Sequence, residues 1–429
     1  MSGTALWSSL IAAFGPAFNQ PSFAIFTTLI EGWVACPGRR TITRLITVAD
    51  PEGNRAHDAY HRFIRCGGWS MEVLWKCLAK QLVARLVPSG DIYLDLDDTL
   101  YHKTGSSVDG AGIFRDAVRS TKKKVVYALG LNLVVVTLRI YPPWGGMPLG
   151  LPIGMRLHRK GGTTTTDLAE ALVREIAGWF GDRQIRLCCD GAYATLAGRE
   201  MSRTHVTSRM QRNAAIYEAR PPRTGRKGRP PVKGPRLPRP DQIAPQNKRA
   251  WKPATIDERG RSVERLLWSR PVLWHSVLPG TMVLLVVVRD PEGIQRDDYF
   301  FTTDLAMAPA DVVHQYAGRW SIEETFRNTK QFLGGEHPQT WCGKGPERAA
   351  ALSLWLSSVV WLWYIETHGK RPTWISTPWY PFKRTPSFYD ALAALRELHW
   401  TSRIYGMSKQ HNESSKMTDL IIRVLASAA

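Results

Sequence analysis

The sequence predicts an α/β fold in which a mixed-sheet core is interrupted by a mostly β insertion and flanked by a helical N-terminal domain and a helical C-terminal tail. Three observations predict it. Apolar residues recur at helical spacing up to about residue 88, and from Asp91 the period becomes that of strands. A basic Pro/Gly-rich strip with more strand-like runs then separates the first strands from a late helix. With 429 residues the chain has room for two or three domains and needs no disulfide or metal staple to fold.

In the N-terminal part, residues 70–86 place Met71, Leu74, Trp75, Leu78 and Leu82 at helical spacing behind Ser70 as N-cap. Ahead of that helix lie Arg39, Arg40, Arg44, Arg55, His57, His61, Arg62 and Arg65, which read either as a solvated helical face or as a module that touches DNA. Residues 91–100 (DIYLDLDDTL) alternate Ile92, Leu94 and Leu96 against Tyr93, Asp95 and Asp97, as a strand does. Residues 124–141 are rich in β-branched side chains and long enough for two strands. Residues 166–180 predict an amphipathic helix with Thr166 or Asp167 as N-cap, followed by a short strand over 184–189 ending at Asp190 and another over 205–217.

The composition changes at residue 220. Residues 220–252 hold eleven basic side chains against one acidic one, Asp241, and their prolines and glycines exclude helix or central strand. Such one-sided charge points to contact with a nucleic-acid backbone rather than to a plain linker. Strands are expected over 265–277, 281–289 and 297–303, then one helix from about 309 to about 333. The uncharged run 349–365 is 17 residues long and interrupted by Ser353, Ser357 and Ser358, so it predicts a buried core helix and no membrane span. The predicted domain limits are 1–88, 89–217, 218–305, 306–368 and 369–429.

Lysine and arginine total 57 and aspartate and glutamate 37, a net charge of 57 − 37 = +20 that favours a polyanionic partner. The six cysteines form no CxxC pair, which leaves a zinc site unsupported and a disulfide framework unexpected. Residues 1–18 carry no basic residue ahead of their apolar stretch and hold Pro16, so no secretory leader is expected.

The chemistry concentrates in a few places. At about 100° per residue, Tyr316, Arg319, Glu323 and Lys330 would fall on one stripe of a single helix. A carboxylate there can ligate a hard cation while the phenol, guanidinium and ammonium hold a phosphodiester against it, although an i, i+4 salt bridge from Arg319 to Glu323 would also explain the pair. Asp97 and Asp190 each close an apolar strand. Three carboxylates gathered without a cation would repel, which favours a metal-binding purpose over a structural one.

These residues resemble a known family. Asp97-Asp98-Thr99 with Lys103, Cys189-Asp190-Gly191-Ala192-Tyr193, and the Tyr-x2-Arg-x3-Glu-x6-Lys spacing at 316–330 are similar to the DDE transposases of bacterial insertion sequences, the group with the YREK signature. The resemblance implies an RNase H-like core in which Asp97, Asp190 and Glu323 bind two Mg²⁺, with Mn²⁺ as a substitute, and a sheet-rich insertion between the second and third acids. It implies double-stranded DNA as substrate (terminal inverted repeats and target), a homodimer on paired ends, and a bacterial cytoplasmic, nucleoid-associated setting. Tyr316, Arg319, Lys330 and Lys103, the strip residues Arg226, Lys227, Arg229, Lys233 and Arg236, and Arg39 and Arg40 are the expected DNA contacts. Related enzymes stack a tryptophan of the inserted sheet on a flipped base; Trp268 and Trp274 lie in that region, where a core role is the alternative.

Two points stay open. Asp98 is the alternative to Asp97 as first acid. Asp95-Leu96-Asp97-Asp98-Thr99 also fits the nucleophile strand of haloacid-dehalogenase phosphatases, with Asp95 attacking and Asp97 as acid/base. A catalytically silent DNA-binding protein is a third reading.

Overall fold

A computed structural model describes residues 2–222, 231–258, 260–407, 418, 421–422 and 425–426. Five helices come first: α1 (Gly3–Ala12), α2 (Gln20–Ala35), α3 (Ile42–Ala49), α4 (His57–Cys66) and α5 (Met71–Leu86). Ser70 caps α5 as its sequence predicts, its hydroxyl accepting from the Val73 amide at 3.2 Å.

The sheet is built from β1 (Ile92–His102), β2 (Gly112–Arg115), β3 (Tyr127–Ile140), β4 (Leu149–His158), β5 (Ile185–Cys189), β6 (Thr204–Arg209), β7 (Lys252–Glu258), β8 (Arg261–Leu273), β9 (Met282–Arg289) and β10 (Asp298–Thr302). Helix α6 (Thr165–Gly178) precedes β5 and a one-turn α7 (Pro240–Ile243) precedes β7. Strand β3 runs antiparallel to both β4 and β1, and β5 and β6 then add in parallel to β1. This is the RNase H-like mixed sheet that the sequence leads one to expect. Residues 127–140 form one long strand rather than two, and the edge of β3 away from β1 pairs with β2 at its start and with β4 along the rest.

The insertion does not make a sheet of its own. Strand β10 pairs antiparallel with β6, so β10-β9-β8-β7 extend the core sheet without a break. Strand β7 begins at Lys252, where the basic strip was expected to end, and fills a stretch with no expected element, because its pairing partner β8 is not visible in local periodicity. Strand β4 was hidden by Pro152, which the ladder tolerates because the register shifts between Val136 and Thr137 at that point.

The expected single helix over 309–333 is two, α8 (Pro309–Gly318) and α9 (Trp320–Gln331), hinged at Arg319. Gly318 is the reason for the close approach there: a Cβ on it would come within 2.5 Å of the Arg139 guanidinium. Gly150 does the same for α9, since its Cβ would meet the Ser321 backbone at 3.0 Å. Thr325 Oγ1 donates to the Gly150 carbonyl at 2.6 Å, fixing α9 on β4.

Helix α10 (Gly345–His368) carries the run 349–365 and is buried along nearly its whole length. It is the one helix among the described residues long and apolar enough to cross a membrane, and protein surrounds it. Buried Arg348 donates from it to the carbonyls of Gly67 (2.8 Å) and Trp69 (2.9 Å), satisfying the chain that follows α4. Helix α11 (Phe388–Met407) follows. Side chains of α1–α5, the sheet and α10 form one continuous apolar cluster, so the N-terminal helices share the core of the sheet. A second cluster, including Ile256, Val286, Phe300 and Val312, sits beneath α8.

Candidate active site

Strand register builds the site. Parallel pairing of β1 with β5 ends at Leu96↔Cys189, so Asp97 and Asp190 are the next residue on each of two neighbouring strands, about 4.8 Å apart in the sheet. Asp97 is therefore not at the end of its strand, which runs on to His102, but at the point where β5 stops. Asp190 turns straight into a 3₁₀ segment over Gly191–Gly198.

The helix hinge supplies the rest. Arg319 Nη1 donates to Asp97 Oδ2 at 2.6 Å and Nη2 to Glu323 Oε1 at 2.8 Å, and the Tyr316 hydroxyl donates to Asp190 Oδ1 at 3.3 Å. All three acids are thus tied to the α8–α9 hinge. Loss of solvation, opposed by Arg319 and helped by Asp98 and Asp190, raises the Asp97 carboxyl to about 7. Desolvation works against the Arg319 cation as well, yet Asp97, Tyr316 and Glu323 hold it above its ordinary value. Burial raises the Tyr316 phenol, which stays protonated as a donor.

Asp98 is held differently. Tyr193, three residues after Asp190, donates its hydroxyl to Asp98 Oδ1 at 2.7 Å, whereas Asp97 meets Arg319. Asp95, on the polar side of the alternation, is nonetheless fully buried in a fork-shaped ion pair with Arg139 and accepts from Ser321 at 3.3 Å. A nucleophilic Asp95 would need an open face, and this one has none. The partner Arg139 was not recognised beforehand, because the charge in LRIY closes a strand that reads as apolar.

Lys330 stands apart from the acids. It lies 5.6 Å from the centre of the Tyr101 ring, and burial lowers its pKa. Lys103 joins it in this second group, donating to the carbonyls of Glu336 (3.0 Å) and Pro338 (3.3 Å), with its pKa lowered to about 8 by burial. Glu336 accepts from the His102 amide at 2.8 Å, and the Gly334-Gly335 pair before it was the signal for this turn. The expected four-residue stripe is divided between two helices, with Tyr316 on α8, Arg319 at the hinge, and Glu323 and Lys330 about two turns apart on α9.

The other expected DNA contacts separate by exposure. Arg40 is buried (1 % exposed), bonded to the Gly38 carbonyl at 3.0 Å, with its pKa lowered to about 10 by burial, so it serves the core rather than a DNA surface. Arg39 is exposed beside it. Lys233 lies 4.0 Å from the centre of the Tyr217 ring, and Arg236 pairs with Tyr217 in an isolated bridge. Arg226, Lys227 and Arg229 lie outside the described residues. Trp274 is core, edge-on to Phe301 at 5.2 Å, and Trp268 is half-buried against the same cluster.

A cavity of about 920 Å³ opens beside Asp190, Tyr316 and Arg319 and runs over β6 and β8–β10, lined by Arg209, Arg261, Arg265 and Arg296 and by Glu258, Asp290 and Asp298. The sequence matches the DDE superfamily endonuclease family over residues 14–264, more than half of the chain, a span that includes Asp97 and Asp190. The chain belongs to that family. Glu323 and the helix hinge lie beyond the matched residues. No curated protein matches it at a significant level.

Proposed function

We propose that this DDE endonuclease is a transposase of the YREK-signature group, which cleaves the ends of its element and joins the freed 3′-OH to target DNA. The observation that carries the reading is the register Leu96↔Cys189, which sets Asp97 beside Asp190, together with the Arg319 fork that brings Glu323 to the same place.

The donor set suits hard cations, since Mg²⁺ and Mn²⁺ take carboxylate oxygens. Among the described residues no three acidic, histidine or cysteine side chains are gathered tightly enough to hold an ion as they stand. Arg319 lies between Asp97 and Glu323 and would have to give way. The residues that would then hold Mg²⁺ or Mn²⁺ are Asp97, Asp190 and Glu323. Two bound ions would supply activation of water and then of the 3′-OH, and stabilisation of the leaving oxygen. The chain's own groups do the rest. Tyr316 fixes the rotamer of Asp190, and Arg319, once released from the carboxylates, is a bidentate donor sited for a phosphate. Arg261 and Arg296 offer cations to an anionic backbone at the cavity beside the acids, where Arg209 and Arg265 are paired with Asp298 and Glu258. Lys330 and Lys103 belong to the second group and would meet DNA beyond the scissile phosphate.

A supercoiled plasmid bearing the gene with its flanking DNA tests the reading. Mg²⁺-dependent cuts at short inverted repeats, lost in Asp97→Asn and in Asp190→Asn, support it. A phosphatase acting through Asp95 is disfavoured by the buried Asp95–Arg139 pair. Specific binding without any cut in either metal would leave the silent DNA-binding alternative.

A further inference from the structure

Between α10 and α11, residues 369–387 form a strap held at both ends and exposed in the middle. At one end the Thr373 amide donates to the Tyr364 hydroxyl at 3.1 Å, and the hydroxyl donates back to the Thr373 carbonyl. The carboxylate of Asp390, fully buried in the first turn of α11, gathers the rest: it accepts from the Ile375 amide at 3.1 Å, the Ser387 amide at 2.7 Å, the Ser387 hydroxyl at 2.6 Å and the Lys383 ammonium. Four prolines (372, 378, 381 and 386) stiffen the span. At its crest Trp379 is 83 % exposed, Tyr380 57 % and Phe382 80 %. Hydrophobic burial would draw such rings into a core were the ends not pinned, and large exposed apolar groups mark interaction sites.

Charge identifies the partner. Residues 369–387 contain Lys370, Arg371, Lys383 and Arg384 and no acidic side chain. Tyr380 and Arg384 also line a cleft of about 310 Å³ against α9, with exposed Arg327 on its far wall; the cleft's carboxylate, Glu324, is paired with Arg327 at 3.1 Å. Glu324 follows Glu323 directly, so the cleft adjoins the candidate acids across α9. Stiff aromatic faces among arginines are what an unpaired nucleic-acid strand needs: rings stack on bases and cations track the backbone.

Resting on the DNA-processing reading, we infer that the strap is a stacking platform for single-stranded DNA next to the cleavage site, with Trp379 and Phe382 as base-stacking groups and Arg384 as a backbone contact. A fully paired duplex offers these rings no base face.

The test uses the full chain and fluorescence anisotropy with a labelled single strand and a labelled duplex of arbitrary sequence. Trp379→Ala combined with Phe382→Ala is expected to weaken single-strand binding about tenfold or more, to change duplex binding less than about threefold, and to leave the salt slope of single-strand binding unchanged because no charge is removed. Arg384→Ala should lower that slope by roughly one counterion. Both exposed aromatics can be removed without touching the core, and an unchanged melting curve verifies that. Equal single-strand affinity in parent and double variant overturns the inference. So does an equal loss on duplex, or a dimer that dissociates on sedimentation while single-strand affinity is kept, since the strap would then seat a second copy. The readout is binding alone: if the parent cuts plasmid ends but the double variant binds as the parent does, this inference fails and the cleavage reading stands. If the parent binds single strands through the strap but never cuts, the reverse holds.

Discussion

Arg319 Nη1 lies 2.6 Å from Asp97 Oδ2 and ties that carboxylate to the hinge between α8 and α9. The same guanidinium reaches Glu323 through Nη2, and its Nε is buried with no hydrogen-bond partner among the described residues. The cation therefore offsets two carboxylates that would otherwise repel in a poorly solvated place. Arg319→Ala should destabilise the metal-free protein by about 3 kcal/mol, the order seen when one partner of a buried pair is removed. Denaturation with and without Mn²⁺ checks it: the ion should recover more stability in the variant than it adds to the parent, and equal gains would mean that Arg319 does not compete for those oxygens.

Glu323→Gln keeps the volume and hydrogen bonding of the side chain and removes its charge. DNA binding should persist while strand cleavage in Mg²⁺ falls by about two orders of magnitude or more, since several kcal/mol of transition-state stabilisation is at stake. Quantified nicking of a supercoiled plasmid is the measurement, and full cleavage by the variant would remove Glu323 from the mechanism.

The raised Asp97 carboxyl makes a signed pH prediction. Its folded value is about 7 against an ordinary 3.8, so between these limits the folded state binds the extra proton. Its contribution to stability is fully present below about pH 4 and is lost as pH rises through about 7. Asp97→Asn stays neutral throughout. In metal-free buffer the variant should gain on the parent between pH 4 and 8, by up to about 4 kcal/mol; chemical denaturation at intervals of one pH unit measures the difference, and parallel curves would mean that Asp97 titrates normally.

Asp95 and Arg139 are both buried, their side chains 0 % and 1 % exposed. Arg139→Met should cost about 3–5 kcal/mol by leaving a buried carboxylate unpaired, and adding Asp95→Leu should restore much of the loss. Urea melts of the two single variants and the double variant give the coupling. Hydrolysis of a chromogenic phosphate ester that vanishes in Asp95→Ala would instead revive the phosphatase reading.

The basic strip predicts a salt effect. Residues 233–237 are pinned, with the Leu237 amide donating to the Ile216 carbonyl at 2.9 Å, so charge removal is cleaner than deletion. Neutralising Arg226, Lys227 and Arg229 together should weaken DNA binding at every sequence and reduce the slope of log K against log salt by up to about 2.7. An unchanged slope would make the strip a linker.

Local chemistry was legible from the chain alone. Ser70 and the apolar spacing behind it specify α5, alternation specifies β1, and the continuous apolar run of α10 specifies a buried helix, since each rule acts over a few residues. The candidate acids Asp97 and Asp190 stand out through their neighbours in DDT and CDGAY. What the chain could not disclose is who stands opposite whom. Asp97 meets Asp190 through the β1–β5 register, the insertion strands join the core sheet through β10 and β6, and Asp95 is neutralised by an arginine 44 residues away. The helix over 309–333 reads as continuous because Tyr316, Arg319, Glu323 and Lys330 fit one helical stripe across Gly318. It breaks at Arg319 because the guanidinium is held by Asp97 of β1 as well as by Glu323, and Gly318 must pass against Arg139. Periodicity reports the face a residue occupies along its own segment. Partnership is decided only when sheet register and close packing bring distant segments within bonding reach.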